Sequence, residues 1–340
     1  MVKMASVRFV MIGVGGMGRA HIQRLLAVPE AEIVALVDPS EPAIRAARSL
    51  APQLADVPGF TSLESALATV EADAAVIVTP HSQHFEQGMA CLDRGLHVLM
   101  EKPFVAGSEN ARRLIEAAKE RGRHMAVSYQ RHTEGPYLYL KRLIAQGELG
   151  EIRFISAYQA QSWLESTRGT WRQNKALSCG GQLNDSGSHL LDVVLWLTGL
   201  TPQAVLAQVD NRGTEVDIDS ALTVQFVGGA MATFSIVGSA NIGWWEDVSI
   251  HGNKGSALYR NGELFVSIGH NQPLWRVETE DLPQGSNPDA DFIDLIQGRV
   301  ASAAAPAECG YQVARLTEAA WQSAKRQAWV PFVVEERVSR

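Results

Sequence analysis

The stretch whose reading decides the fold is "GVGGMGRAHIQRL", residues 13–25, which holds Gly13, Gly15 and Gly18 in the spacing G-x-G-x-x-G. A chain with 29 glycines produces such a hexad by chance, so its surroundings carry the weight. A dinucleotide loop needs a buried strand leading in, a helix leading out and an acid about 20 residues further on. "SVRFVMI" (6–12) is a short apolar, β-branched run of the kind buried in parallel sheets. Ala20, Ile22, Leu25, Leu26 and Val28 fit a helix that Pro29 closes. "EIVALVD" (32–38) reads as a second buried strand and ends in Asp38. In this setting Gly13 serves a tight turn, Gly15 lets the backbone approach a pyrophosphate, and Gly18 lets helix and strand pack closely. The free N–H groups and the dipole of the helix start favour phosphate.

Outward from this unit, strands and helices keep alternating. Helices are expected at 40–50 (capped by Ser40), 61–70 (capped by Thr61), 82–95 and 108–122 (capped by Ser108). "DAAVIVT" (73–79), "LHVLME" (96–101) and "RHMAVSY" (123–129) are the remaining strands. This is the signature of a doubly wound parallel sheet, a Rossmann domain over residues 1–129. Beyond residue 130 the pattern changes. "EIRFISAYQAQSW" (151–163) alternates with period two, and strand-like runs follow near 203–210, 217–227, 230–238, 245–251, 256–260 and 263–268. Helices are expected at about 136–146, 187–198, 288–298 and 307–327. Residues 130–340 therefore read as an α+β domain with a large, mainly antiparallel open sheet.

Composition narrows the partners. The net charge of −7 argues against nucleic acid and against an anionic membrane surface. No apolar run reaches a membrane span, and the glycine-broken N-terminal run reads as a strand rather than a secretory leader. Cys91, Cys179 and Cys309 lie far apart and suit a reducing cytoplasm. His81 and His84 are read as capping and packing residues, and no metal is expected.

Two further stretches carry chemistry. "EKP" (101–103) ends a Rossmann strand, on the edge where open α/β sheets bind ligands. In "GGQLNDSGSHLLD" (180–192), Asp185, His189 and Asp192 recur at steps of four and three, so they share a face if the segment is helical from residue 185. A histidine near a carboxylate is a plausible acid–base unit. The plainer reading makes Asp185 a helix cap and His189 a satisfied buried residue.

Together, the G-x-G-x-x-G unit, "EKP", "TPHSQH" (79–84), "WR" (171–172) and the GGxLxDxGxHxxD block resemble the Gfo/Idh/MocA oxidoreductases. The sequence departs from that pattern at Cys179 and in "YQRHTEG" (129–135). The resemblance implies Lys102, Asp185 and His189 as the catalytic trio. It implies cofactor contacts from Gly13, Gly15, Gly16, Met17, Gly18, Asp38, Thr79, Pro80, His84, Glu101 and Lys102, and substrate contacts from Lys102, Arg131, Trp171, Arg172, Asp185 and His189. The expected activity is NAD-dependent oxidation of a secondary alcohol on a sugar, inositol or related polyol, with substrate lying in a cleft between the two domains. NADP is disfavoured because Asp38 is followed by Pro39 and Ser40 rather than an arginine. An NAD-dependent glycosidase and a non-catalytic nucleotide-binding regulator are the alternatives on the same fold. A homodimer or homotetramer joined through the C-terminal sheet is expected, since both faces of "RFISAYQAQ" carry apolar residues.

Overall fold

Six parallel strands form the first sheet of the computed structural model, which describes residues 6–332. They are β1 (Val7–Ile12), β2 (Ala31–Val37), β3 (Gly59–Phe60), β4 (Ala74–Ile77), β5 (His97–Met100) and β6 (Met125–Val127), in the order β3-β2-β1-β4-β5-β6. The central strands are apolar on both faces because helices cover both, and Phe9, Val10, Met11, Val76 and Ile77 are wholly buried. The two-residue edge strand β3 is absent from the sequence reading, being too short to leave a periodic signal. Two expected caps also shift by one residue. The helix Leu63–Thr69 is capped by Ser62, whose Oγ accepts from the Ser65 N–H, and Ser108 is the first helical residue after Gly107.

The first unit comprises the residues up to Thr133 together with Ser286–Tyr311; Glu134–Gly285 and the chain from Gln312 onward form the second. This corrects the single boundary expected at 129/130. The helix Pro288–Ile296 returns to the first core, where Phe292, Ile293 and Leu295 pack in the same cluster as Phe9 and Met11. Helical periodicity shows that a face is apolar but not which core will receive it.

The second unit is built on nine strands: β7 (Ile152–Ala160), β8 (Pro202–Asp210), β9 (Asp219–Phe226), β10 (Met231–Val237), β11 (Trp245–Gly252), β12 (Gly255–Arg260), β13 (Glu263–Ile268), β14 (Trp275–Arg276) and β15 (Val330–Pro331). Their order is β14-β13-β12-β11-β7-β10-β9-β8-β15. All neighbours are antiparallel except β7 and β10. The faces differ sharply. Ile155, Leu222, Val224, Phe234, Ile236, Val248 and Ile250 are buried on one face, on which the helix Gly187–Thr198 packs. On the other, Phe154, Tyr158, Leu206, Met231 and Trp245 are aligned by the register and are each more than a third exposed.

Candidate functional site

The nucleotide end of the first unit follows from three glycines that do different work. Gly13 turns the chain out of β1 at φ +86°, and a Cβ there would lie 2.4 Å from the Val78 carbonyl oxygen. A Cβ on Gly18 would lie 2.0 Å from the Gly13 carbonyl oxygen, so only hydrogen fits between helix and loop. Gly15 and Gly16 have no protein atom within 4 Å of a built Cβ, and they are exposed with Met17 at the start of the helix Gly16–Leu26. An open, Cβ-free flank at a helix start whose N-cap residue supplies no side-chain cap fits a pyrophosphate.

Asp38 is anchored to that loop. Its Oδ2 accepts the Val14 N–H at 3.0 Å and its Oδ1 accepts the Ser40 N–H at 2.9 Å. The carboxylate at the end of β2 is thereby held beside the glycine turn.

The "TPHSQH" and "EKP" segments meet inside the first unit. The wholly buried His84 places Nε2 3.0 Å from the Thr79 carbonyl oxygen and Nδ1 3.0 and 3.1 Å from those of Pro103 and Phe104. Burial lowers its pKa, and the ring joins the loops after β4 and β5. The buried His84 side chain thus braces the loops behind the nucleotide edge. Glu101 is also buried and inward-facing: Oε1 lies 3.1 Å from His21 Nε2, and Oε2 accepts the Lys102 N–H at 2.9 Å. Thr79 donates its hydroxyl to Gln87 Oε1 at 2.6 Å, and Pro80 precedes the turn His81–Gln83. Lys102 is half-buried, and Arg131 is buried in the turn Gln130–Thr133.

In the second unit the helix begins at Gly187, so Asp185 lies in the preceding turn and not on the shared helical face expected for residues 185, 189 and 192. That turn is closed from outside the motif. Asp217 accepts the N–H groups of Gly181 at 3.0 Å and Leu183 at 2.7 Å, together with the Trp321 indole N–H at 3.0 Å. A Cβ on Gly181 would lie 1.8 Å from the Asp217 carbonyl oxygen, which explains a glycine at that position by packing alone. Asp185 Oδ2 accepts from Trp163 Nε1 and Arg172 Nε, both at 3.0 Å, and the Arg172 guanidinium lies 4.6 Å from the centre of the Trp171 ring. Buried Asp185 thus gathers Trp163 and Arg172 around itself, and His189 follows in the first turn of the helix, also buried. His21, Asp217 and Asp289 are the polar residues that sequence reasoning missed. A histidine three residues past Gly18, on the inner face of the nucleotide helix, was the available signal. The two aspartates carry none.

Residues 7–129 match the family described as "Oxidoreductase family, NAD-binding Rossmann fold", and residues 137–258 match "GFO/IDH/MocA C-terminal domain". The chain is 27% identical to inositol 2-dehydrogenase of Corynebacterium glutamicum strain R, across 77% of this chain and 79% of that protein. It is 36% identical to scyllo-inositol 2-dehydrogenase (NADP(+)) of Bacillus subtilis, over 39% of this chain and 37% of that relative's length. A solved levoglucosan dehydrogenase, in complex with NADH and L-sorbose, superposes with a TM-score of 0.85 at 23% identity, covering 96% of this chain and 99% of that one. No described helix is long and apolar enough to cross a membrane. With both of its units matched and the glycine loop, "EKP" and the 180–192 block in place, the chain belongs to the GFO/IDH/MocA oxidoreductases, whose N-terminal domain is an NAD-binding Rossmann fold.

Proposed function

We propose that this protein oxidises a secondary alcohol of a sugar, an inositol or a related polyol by hydride transfer to NAD. The observation that carries the reading is the carboxyl edge of the first sheet, where the glycine cradle, the anchored Asp38 and Lys102 emerge from the ends of the parallel strands β1, β2 and β5. Gly15 and Gly16 leave room for the pyrophosphate, and Asp38 suits a ribose diol while repelling a 2′-phosphate. Bound nicotinamide supplies the hydride acceptor. The chain's own residues supply the rest. The His189 imidazole takes the hydroxyl proton as the carbonyl forms, and the Lys102 ammonium stabilises negative charge on that oxygen. Asp185, paired with Arg172, orients the substrate, and Arg172, Trp171 and Arg131 contact its remaining hydroxyls and ring face. The names of the inositol dehydrogenases among its relatives support the polyol class.

The uncovered face of the second sheet is assigned to a second copy of the chain. Phe154, Tyr158, Leu206, Met231 and Trp245 give it more apolar area than a solvated face needs. The widely separated Cys91, Cys179 and Cys309 fit the cytoplasm, and burial pushes the Cys91 thiol up to about 12, where it is inert.

The test is a spectrophotometric screen of NAD and NADP reduction against a panel of free polyols and sugars. Net NADH formation with a polyol supports the reading. Glycoside cleavage without net NADH formation would overturn it.

A further inference from the structure

His21 sits on the inner face of the helix Gly16–Leu26 with no exposed surface, and both of its ring nitrogens face carboxylates of the same unit. Nδ1 is 2.7 Å from Asp289 Oδ1, and Nε2 is 3.1 Å from Glu101 Oε1. A neutral imidazole has one N–H and one lone pair, so it would point a lone pair at one of these oxygens. Two N–H groups satisfy both. The carboxylates are themselves tied down on the far side. Asp289 Oδ2 accepts from Arg24 Nη1 at 3.0 Å, and Glu101 Oε2 accepts the main-chain N–H of Lys102 at 2.9 Å. The Ser128 side chain also bonds Glu101. The result is a row of two cations and two anions, buried but for the partly exposed Arg24 at one end, that ends on the backbone of Lys102.

We propose that His21 is a positioning residue: a standing imidazolium that, through Glu101, fixes the main chain of Lys102 and so aims its ammonium at the reacting oxygen. It touches neither substrate nor cofactor. The proposal rests on the reading of Lys102 as the group that stabilises that oxygen. The charged groups facing His21 are Asp289, with Arg24 behind it, and Glu101, with Lys102 behind it. Burial alone would keep the ring neutral. Asp289, and after it Glu101, outweigh burial and lift the imidazole to about 9. Burial likewise pushes Glu101 up, but His21 and then Lys102 hold it below its ordinary value.

The experiment has two arms on the full-length enzyme. In the first, ¹⁵N-labelled histidine NMR of the wild-type protein reads His21 directly. An imidazolium pattern on both ring nitrogens across neutral pH is expected, and a neutral-ring pattern there overturns the proposal. In the second, His21→Gln, Glu101→Gln and the double variant are compared at saturating substrate. Loss of aim at Lys102 should lower kcat by about 10²-fold, with NADH affinity held within a few-fold. The double variant should be no worse than the poorer single one, because both act through one link. A folded His21→Gln enzyme with wild-type kcat, or losses that multiply in the double variant, would overturn the proposal. Lys102→Met separates the two readings. Wild-type turnover by that variant removes the role of Lys102, whereas an inactive Lys102→Met beside a fully active His21→Gln removes only the role of His21.

Discussion

Three glycines of one loop should fail in three different ways when each becomes alanine. At position 18 the new Cβ would lie 2.0 Å from the Gly13 carbonyl oxygen and 2.9 Å from its carbon, and both are backbone atoms that no rotamer change can move. Contacts below 3.0 Å do not occur at real Cβ atoms, so helix and loop must separate by about 1 Å. Overpacking of this kind costs roughly 1–3 kcal/mol, which corresponds to a Tm loss of about 3–9 °C in a unit of this size. At position 15 nothing lies within 4 Å, so the stability of the cofactor-free protein should change by less than about 0.5 kcal/mol. The same methyl group would stand where a pyrophosphate must approach, and the NADH dissociation constant should rise about tenfold or more, some 1.4 kcal/mol. Gly13→Ala combines a left-handed φ of +86° with a 2.4 Å contact to Val78, and should lose both stability and cofactor. Thermal melts without cofactor and NADH fluorescence titrations separate these effects. If Gly15→Ala melts as early as Gly18→Ala, or binds NADH as the wild type does, the division of labour among the glycines is wrong.

His189→Ala and Lys102→Ala should each cut kcat by roughly 10²–10⁴-fold with NADH binding nearly intact, as read by steady-state kinetics and fluorescence titration. Asp38→Ser should raise kcat/KM for NADP relative to NAD, and an unchanged cofactor ratio would remove Asp38 from the ribose site. Phe154→Asp with Tyr158→Asp should reduce the mass seen by light scattering to that of one chain while leaving the far-ultraviolet circular dichroism unchanged. The raised pKa of His21 also gives stability a pH slope. The stabilisation is fully present below the unfolded value of 6.5 and is lost as pH rises to about 9, where it has cost about 3 kcal/mol. Melts from pH 6 to about 9.5 should therefore show the wild type losing its advantage over His21→Gln as pH rises, and a constant gap would contradict a buried imidazolium.

Much of this protein is local in origin and so was legible in the chain alone. Buried parallel strands announce themselves as unbroken apolar runs, as in β1 and β4, and a dinucleotide loop must place glycine where backbone meets backbone. Asp38 follows from the same unit, because strand length and helix length fix its distance from the loop. What depends on pairing across long separations was not legible. Nothing in Pro288–Ile296 says that it returns to the first core, 268 positions after His21, where its Asp289 becomes a partner for that histidine. Asp217 reads as one acid among many until the turn at Gly181 closes around it. Glu101 and His84 lie in motifs that mark the nucleotide edge, yet their side chains face inward and brace it. A motif records which residue types a site needs. Which way each side chain points is decided by the burial of neighbours distant in sequence, because a buried polar group must find its hydrogen-bond partners wherever the fold brings them.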